Sequence, residues 1–525
     1  MSETAVRPPG RPDPQRGPRT NPGNSSPIAS SRRRWAALVV LMLPVLLISV
    51  DNTALSFAVP SLARDLQPSA TQLLWIVDAY PLVLAALLVA MGSVGDRIGR
   101  RRLLLIGATG FAVVSAVAAF APSAGWLIAA RAALGFFGAM LMPATLSLLR
   151  NIFTEADERR KAIAIWASGF SGGAALGPIV GGWLLEHYEW GSIFLMAVPV
   201  LVPLLVLGPV LLPESKDPEP GPVDPVGIAL AVLGLGGIVF AIKAAGGGDP
   251  ALVVLAAAVV GIASGVGFVR RMLRLDQPML DVRLFSNRVF SGALATNLVA
   301  VFAFVGFIYF LSQHLQLVAG HSPMVAGWLM VPGLVTTVIF GLIAVPLVHR
   351  MTPANVVVVG LLLNTLGYAM VALFGADGAL LALLGGFVVL SAGVGLSQTI
   401  SNDLALSAVP PEKAGPAAAA SESAYEVGAV LGVAVLGSLL NVAFRTGVQL
   451  PTGLDPTQAA LAGETLAGAV EVSEGLPAAL GEALLLSASQ AFDHGVVLTA
   501  GLGAVLTAVM ALVARRALRA PDPLD

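Results

Sequence analysis

The chain has 525 residues, of which 56% are hydrophobic and only 12% are charged, and its formal net charge is −1. A typical soluble protein has roughly 25% charged residues, so this composition excludes a soluble globular protein and predicts one that crosses a lipid bilayer many times. The near-zero net charge gives no reason to expect a nucleic-acid partner. The absence of cysteine excludes disulfides and thiolate metal sites.

Residues 1–34 precede the first apolar run and are rich in proline, glycine, serine and arginine. This composition predicts a disordered tail, which we expect in the cytoplasm. A cleaved signal peptide is not expected, because the apolar run that follows is as long as a full membrane span.

A membrane-spanning helix needs about 20 mostly apolar residues. The sequence contains about fourteen such runs, of which the seventh and eighth are separated only by the short segment "AIKAAGGGDP". The runs begin near Trp35, Thr71, Arg102, Gly125, Ala162, Ser192, Val223, Pro250, Val289, Pro323, Ala354, Gly378, Gly415 and Ala491.

Clusters of basic residues predict the orientation of these spans. If the spans alternate in direction, the clusters all fall on one side, and the positive-inside rule places that side in the cytoplasm. Both termini are then cytoplasmic, which requires an even number of spans, and the long segment 445–490 is external. The clusters are Arg32–Arg34, Asp96–Arg102, Glu158–Lys161, Arg270–Arg274 and Arg515–Arg519.

Five ionisable residues are expected inside the predicted spans. A charged group at this depth is unfavourable by at least ~2.5 kcal/mol, so it normally faces the bundle interior or a wet cavity and marks a functional site. These residues are Asp51, Asp78, Arg131, Glu422 and Glu426.

Structural roles remain open for three of these residues. Asp51 can cap a break in the first span together with Asn52 and Thr53. Asp78 lies about two turns from the outer end of its span, with a tryptophan expected at the membrane interface beside it. Arg131 cannot lose its proton, so it needs a carboxylate partner or an aqueous route, and it can also simply link two helices.

Glu422 and Glu426 are four residues apart and therefore lie on one face of a helix. Like charges so placed repel each other, and in a low dielectric we expect at least one of them to carry a proton at neutral pH. Such a pair can exchange protons and attract a cation. Two alternatives remain, namely a hydrogen-bonded patch of protonated acids between helices and, for Glu422 alone, a solvated position.

Small residues recur at three- and four-residue spacing along the fifth span, "WASGFSGGAALGPIVGGWLLEH". Gly173, Gly177 and Gly181 form a face that lets a second helix approach closely. Pro178 is expected to kink the helix, and Gly182 to soften it further. The spacing fits a tight helix crossing and the gating helix of a transporter equally well.

The segment "GSVGDRIGRRRLLL" connects the second and third spans. Gly92 and Gly99 permit a tight reversal, and Asp96 can accept hydrogen bonds from Arg97 or Arg100. Part of this pattern follows from the positive-inside rule, whereas the spacing of glycine, aspartate and arginine is unusual.

That spacing resembles the loop signature of the major facilitator superfamily, roughly G-x-x-x-D-R-x-G-R-R/K. The matching positions here are Gly92, Asp96, Arg97, Gly99, Arg100 and Arg101. "GGAALGPIVGG" resembles the antiporter motif of its drug:proton exporters, and "ISVDNTALSFAVP" resembles the first-span motif of the branch with fourteen spans. "LWIVDAYPLVLA", "MLPATLSLLRNIF", "QPMLDVRLF" and "SESAYEVGAVLG" are similar to efflux pumps of that branch, of the QacA/LfrA type.

The resemblance implies an all-α membrane protein with the major facilitator fold, in which two additional helices lie between two six-helix bundles. The two additional spans are expected at about 222–243 and 250–272. The implied division is a cytoplasmic tail (1–34), an N-terminal bundle (35–213), the additional helices with their linkers (214–288), a C-terminal bundle with the external loop 445–490 (289–516) and a second cytoplasmic tail (517–525).

The resemblance also implies a function, that of a proton-coupled multidrug exporter in the bacterial cell membrane. The protein is then not an enzyme, uses no cofactor and works as a monomer by alternating access. Its expected partners are the lipid bilayer, protons and lipophilic cationic drugs such as quaternary ammonium antiseptics, ethidium-like dyes and fluoroquinolones.

The resemblance assigns roles to individual positions. Asp51, Asp78 and Glu422 occupy sites where such pumps carry acidic residues tied to protonation or cation recognition, and Glu426 replaces an aspartate. Ser421 stands where some relatives have a further glutamate. A position where some divalent-cation pumps carry an aspartate is occupied here by Thr337. The absence of an acidic residue at Ser421 and at Thr337 weighs against divalent cations as good substrates.

Export of an endogenous antibiotic or a lipid on the same fold remains the alternative function. An ATP-driven pump is excluded, because no lysine follows a glycine as a Walker A loop requires. A channel is not supported, because no symmetric charged ring is evident. A histidine-based membrane enzyme is not supported either, because the histidines are expected at span ends or in loops, namely His187, His314, His321, His349 and His494.

Overall fold

The computed structural model describes residues 31–217, 221, 223–375, 379–410 and 413–518. Within them the chain is helical, and 14 helical segments are long and apolar enough to cross a membrane. This confirms the number of spans and the all-α fold class predicted from the apolar runs. Residues 1–30 of the expected N-terminal tail and residues 519–525 of the expected C-terminal tail lie outside the described residues.

The first eight spans contain nine helices, because a short interruption at Met196 divides the sixth span into α6 and α7. The helices are α1 (Ser31–Leu66), α2 (Ala70–Ile98), α3 (Arg100–Ala118), α4 (Ala124–Ile152), α5 (Ala156–His187), α6 (Ser192–Leu195), α7 (Ala197–Leu211), α8 (Pro225–Gly247) and α9 (Ala251–Arg274).

The last six spans contain α10 (Arg288–Gln313), α11 (Pro323–Leu347), α12 (Pro353–Phe374), α13 (Leu380–Ser407), α14 (Ala414–Leu431), α15 (Ser438–Gly447) and α18 (Ala478–Ala517). Two π-helical turns lie in these spans: His314–Val318 extends α10, and Gly432–Gly437 joins α14 to α15. The segment expected as an external loop, 445–490, contains α16 (Pro456–Glu464), α17 (Leu466–Glu474) and the start of α18, which begins well before the predicted Ala491.

Fourteen spans alternate in direction, so Ser31 and Ala517 lie on the same side of the molecule. We call this the termini side and the opposite side the far side. We call α1–α7 the first half, α10–α15 with α18 the second half, and α8 with α9 the inserted pair.

Local capping explains where several helices begin. Ser69 precedes α2, and its side chain and that of Gln72 form a reciprocal capping box that satisfies two amide groups. The side chains of Ser123, Ser322 and Thr352 cap α4, α11 and α12 in the same position. These caps explain why these four helices begin close to the residues predicted from the apolar runs.

The reversal between α2 and α3 depends on Gly99, which has a φ of 109° that residues with a side chain rarely adopt. Its amide donates to the carbonyl oxygen of Gly95 at 3.0 Å and so closes α2. Gly92, expected at the same reversal, instead lies inside α2, because α2 continues uninterrupted to Ile98.

The crossing of α1 and α5 is very close. A methyl group added to Gly173 would lie 2.7 Å from Cβ of Ser49, and one added to Gly181 would lie 3.0 Å from Cβ of Ala54. At Gly177 an added methyl group would overlap the hydroxyl of Thr53. The tight crossing expected from the spacing is therefore present, and α5 runs through Pro178 as one helix.

The inserted pair forms a helical hairpin in which glycines allow close approach, since a methyl group added to Gly237 would lie 2.8 Å from Cα of Gly261. The outer helix of the hairpin, α9, exposes most of its apolar side chains, as a lipid-facing helix should. The inner helix, α8, packs on both halves, because Val239 lies in one cluster with Leu82 of α2 and Val430 of α14.

The two halves meet closely on the far side. The Ser312 hydroxyl donates to the carbonyl oxygen of Ser56 at 3.0 Å, linking α10 to α1. Close to Gly182 of α5 lies the backbone of Pro323 at the start of α11. Above them, Glu464 at the end of α16 accepts a hydrogen bond from the amide of Ala70 at 3.0 Å. These contacts close the far side of the molecule.

Candidate functional site

Asp51 and Arg131 form a buried ion pair in the first half. The distance from Nη1 of Arg131 to Oδ2 of Asp51 is 2.7 Å, and the two side chains are 1% and 5% exposed. Arg131 also donates from Nε to the carbonyl oxygen of Ile76 at 3.1 Å and lies over the ring of Tyr80. The carboxylate partner that Arg131 was expected to need is thus Asp51.

The helix-capping role considered for Asp51 is wrong. The first span does not break there, because α1 is continuous from Ser31 to Leu66. Thr53 was expected to help Asp51 cap this break. Its hydroxyl instead donates one hydrogen bond within α1 and one to the carbonyl oxygen of Ala174 on α5, at 3.3 Å. Asp51 is therefore held by its ion pair.

Asp78 is paired with Lys243, a cation that was not predicted to lie inside the membrane. The Nζ atom of Lys243 lies 2.7 Å from Oδ2 of Asp78, and the two side chains are 0% and 1% exposed. The ammonium also donates to the carbonyl oxygen of Leu74 at 2.9 Å and lies 4.1 Å from the ring centroid of Trp75. Asp78 therefore does not reach the membrane interface, and Trp75 covers an ion pair.

Lys243 was not predicted to be buried, because the seventh span was expected to end at that residue. In the structure α8 continues to Gly247, which places Lys243 a full turn inside the helix. The sequence does indicate that the span extends past Lys243, because small and apolar residues follow the lysine in "FAIKAAGG". The segment "AIKAAGGGDP" was interpreted as containing the turn from Lys243 onward, whereas the turn begins only at Gly248, with a φ of 79°.

Glu422 and Glu426 both lie on α14, in the second half. The side chain of Glu426 is buried, and its Oε2 atom accepts no hydrogen bond within the described residues. Glu422 lies one turn closer to the termini side and is partly exposed. In the part of the chain that the structure describes, neither glutamate forms an ion pair.

A cavity between the two halves brings most of these residues together. Its walls come from α1, α2, α4 and α5 of the first half and from α10 and α14 of the second. Asp51 and Glu422 are not among the residues that line it. The polar and aromatic residues that do line it include Asn52, Asp78, Arg131, Phe170, Phe304, Tyr425 and Glu426. The cavity combines flat apolar surfaces with carboxylates, a combination suited to organic cations.

The loop signature lies away from the cavity, on the termini side. Asp96 accepts from Arg100 at 2.8 Å, as expected from the spacing. The amide of Arg101 donates to Glu214, just after α7, at 3.1 Å. The neighbouring Arg97 donates to the carbonyl oxygen of Gly221 at 3.2 Å. These partly exposed contacts attach the α2–α3 turn to the segment that follows the sixth span.

A further buried pair on the far side was also missed. Nδ1 of His314, in the π-helical turn, lies 2.9 Å from Oδ1 of Asp493 on α18. His314 does lie at the end of its span, as predicted, but it is buried rather than solvated. Asp493 was missed because the last span was predicted to begin only two residues before it.

A charged, partly apolar cavity between two packed halves of a membrane-spanning helical protein is the arrangement that a transporter requires. The sequence of residues 41–433 matches the family model of the Major Facilitator Superfamily. The chain belongs to this family, which confirms the family predicted from the motifs, and it is a multi-pass membrane transporter rather than an enzyme.

Two relatives match nearly the whole chain. It is 54% identical over 497 residues to the "Multidrug efflux pump LfrA" of Mycolicibacterium smegmatis, covering 95% of this chain and 99% of that protein. It is 36% identical over 470 residues to the "Methyl viologen resistance protein SmvA" of Salmonella typhimurium strain LT2, covering 89% and 95%.

Among solved structures, the fold is similar to that of a bacterial homologue of the human lysosomal transporter Spinster, in an inward-facing and unoccupied conformation. The TM-score is 0.66 over 94% of this chain and 100% of that chain, at 18% sequence identity. At this identity the likeness supports the fold alone.

Proposed function

We propose that the protein exports lipophilic cations from the bacterial cytoplasm in exchange for protons, by alternating access. The observation that carries this proposal is that Glu422 and Glu426 form no ion pair among the described residues, whereas Asp78, the other acidic residue of the cavity lining, has a cationic partner. The names of the two relatives, a multidrug efflux pump and a methyl viologen resistance protein, support drug export and a cationic cargo.

The charges around the cavity explain why a cation and a proton would compete. Asp51 with Arg131 and Asp78 with Lys243 are close to neutral as pairs. Glu426 has no such partner in the described residues, and a lone carboxylate at this depth is strongly unfavourable. It therefore holds either a proton or a cationic cargo, and binding of one releases the other.

The transport cycle follows from this competition. With the cavity open to the termini side, a lipophilic cation enters, contacts aromatic surfaces such as Tyr425 and displaces a proton from the glutamates. The two halves then rock around the cavity, which opens the contacts between Ser312 and Ser56 on the far side. Protons from outside return to the glutamates and release the cargo.

The orientation and the energy source belong to the same proposal. The basic clusters near Arg100, Arg271 and Arg515 lie on the termini side, which the positive-inside rule places in the cytoplasm of a plasma membrane. A charge moving through 100 mV gains about 2.3 kcal/mol, but exchange of one proton for one monovalent cation moves no net charge. Such an exchange is driven by the pH gradient alone.

The test is ethidium transport by purified protein in proteoliposomes, with and without an imposed pH gradient. We expect gradient-driven transport by the wild type and its loss in Glu426→Gln. The matched control is Glu482→Gln, which neutralises an exposed carboxylate on α18 and should transport normally.

Two outcomes would contradict the proposal. Normal gradient-driven transport by Glu426→Gln would remove this glutamate from the coupling. A correctly folded wild type that does not transport ethidium under any gradient would reject cation export and favour an endogenous antibiotic or a lipid as the cargo.

A further inference from the structure

Lys243 has an unusual position for a residue of the inserted pair. Its helix, α8, lies at the edge of the two halves, yet its side chain reaches Asp78, which lines the central cavity. The ammonium group is fully buried and has contacts on several sides: the Asp78 carboxylate at 2.7 Å, the carbonyl oxygen of Leu74 at 2.9 Å and the ring of Trp75 at 4.1 Å.

These groups form the kind of site that binds an organic cation. A carboxylate provides the opposite charge, and an aromatic face near the cation adds an electrostatic attraction. Here a lysine of the protein itself occupies the site. Asp78 itself lines the cavity, and the second oxygen of its carboxylate, Oδ1, is buried and accepts no hydrogen bond within the described residues.

We propose that Lys243 determines the charge specificity of the transporter. It acts as a tethered cation that neutralises Asp78 and so leaves Glu426 as the one carboxylate in the described cavity lining that can balance the charge of a cargo. The cavity therefore favours monovalent over divalent organic cations. This inference rests on the proposed function and adds to it the residue that selects among cations.

The position of α8 keeps this cation in place. Val239, one turn before Lys243, packs in a cluster with Leu82 of the first half and Val430 of the second. At the far end of the helix, Nη1 of Arg445 donates to the carbonyl oxygen of Gly247 at 2.8 Å. Because α8 is anchored on both halves, the lysine cannot withdraw from Asp78 without a shift of the helix.

The experiment compares two dyes that share one aromatic ring system, ethidium with one positive charge and propidium with two. The affinity of purified full-length protein for each dye is measured by fluorescence, and transport of each is measured in proteoliposomes with a pH gradient. In Lys243→Gln, Asp78 is no longer neutralised, so we expect the ratio of propidium to ethidium affinity to rise by about tenfold or more.

Three further variants separate a charge effect from a structural one. In the double variant Asp78→Asn/Lys243→Gln the ratio should return to the wild-type value, because Lys243 acts through Asp78. In Lys243→Arg the positive charge remains, so the ratio should not rise. Arg445→Gln removes an attachment of α8 and leaves the charges at the cavity unchanged, and it should keep the wild-type ratio.

Asp78→Asn keeps the proposal testable if Lys243→Gln does not fold. It leaves the positive charge of Lys243 unbalanced, so the propidium to ethidium ratio should fall below the wild-type value. A ratio that is unchanged in Lys243→Gln and in Asp78→Asn would overturn the proposal, as would a rise in Lys243→Gln that persists in the double variant.

Failure of the proposed function would look different. A wild type that binds both dyes but transports neither under a gradient would reject proton-coupled export, whereas the binding ratios would still support or contradict the role of Lys243. A protein that binds neither dye in any variant would overturn both proposals.

Discussion

The two halves of the transporter hold their buried carboxylates in different ways. In the first half Asp51 and Asp78 each have a cation within 2.7 Å, supplied by Arg131 on α4 and Lys243 on α8. In the second half Glu426 is equally buried and has no cationic partner among the described residues. Acidic residues at similar depth therefore have different chemistry, and the difference lies in their neighbours.

This contrast assigns different tasks to the two halves. An internal ion pair needs no partner from solution, so the carboxylates of the first half can stay charged through the cycle and hold helices together. A carboxylate without a partner needs a proton or a cargo to be tolerated in the membrane. Under the proposed function, the exchangeable charge is thus concentrated on α14, and the first half supplies a neutral, rigid wall.

The largest effect is expected from breaking a pair of the first half. Arg131→Gln leaves Asp51 buried without its cation, and removal of one partner of a buried pair costs about 3–5 kcal/mol. We expect a marked fall in the thermal unfolding temperature of the purified protein, followed by tryptophan fluorescence. The control, Arg102→Gln, alters a largely exposed side chain near Glu214 and should unfold near the wild-type temperature.

The double variant Asp51→Asn/Arg131→Gln sharpens this test, because it removes both charges together. It should be more stable than Arg131→Gln alone, since no buried charge remains uncompensated. Equal unfolding temperatures for wild type and Arg131→Gln would show that the first half does not depend on this pair.

The second prediction concerns the rigidity of the first half at the α1–α5 crossing. An alanine at Gly177 would overlap the hydroxyl of Thr53, and overpacking of this kind costs about 1–3 kcal/mol. We expect Gly177→Ala to unfold at a lower temperature and to transport ethidium more slowly. Gly172 offers a matched control five residues away, because a methyl group there meets nothing within 4 Å.

In Gly172→Ala the stability should remain or rise by about 0.5–1 kcal/mol, as for glycine replaced by alanine inside a helix. Similar behaviour of both alanine variants would mean that the crossing can relax. In that case the rigid wall assigned to the first half would rest on its ion pairs alone.

The third prediction is the counterpart of the first in the second half. Glu426→Gln removes a buried carboxylate that has no cationic partner among the described residues, so no cation is left uncompensated. We expect an unfolding temperature at or above that of the wild type, in contrast to Arg131→Gln, although ethidium transport is lost. A clear loss of stability would reveal a structural partner for Glu426 and would remove the distinction between the halves.

Much of this arrangement could be predicted from the sequence. Apolar runs of sufficient length give the fourteen spans, because a helix rises a fixed distance per residue and the bilayer has a fixed thickness. Asp51, Asp78 and Glu426 are unusual because each is an acidic residue well inside a span, and the permanent charge of Arg131 requires a partner. These inferences need only the chemistry of single residues and the position of each in its span.

The pairing could not be predicted in the same way. Lys243 meets Asp78 only because α8 packs against α2, a contact between helices far apart in the chain. His314 and Asp493 likewise come together through the packing of α10 against α18. Lys243 and Asp493 were also missed because the ends of their spans were misplaced. A shift of one turn decides whether a charged residue is interpreted as solvated or buried.

The smallest effect is expected for an ion pair outside the spans, between Asp281 and Lys413, at 2.6 Å. The hydrogen bond from Lys413 holds the pKa of Asp281 below its usual value. The pair therefore stabilises the folded protein above the usual pKa of aspartate, about 3.9, and this contribution disappears as the pH falls through the lowered value. Because both side chains are partly exposed, it amounts to only about 0–1 kcal/mol.

We expect Lys413→Gln to unfold slightly below the wild type at pH 7, with the difference vanishing in acid below the lowered pKa of Asp281. Unfolding temperatures of both proteins across this pH range provide the measurement. A loss at pH 7 as large as that of Arg131→Gln would mean that pairing matters as much in water as in the membrane. The contrast between the two halves would then reflect the number of ion pairs rather than their burial.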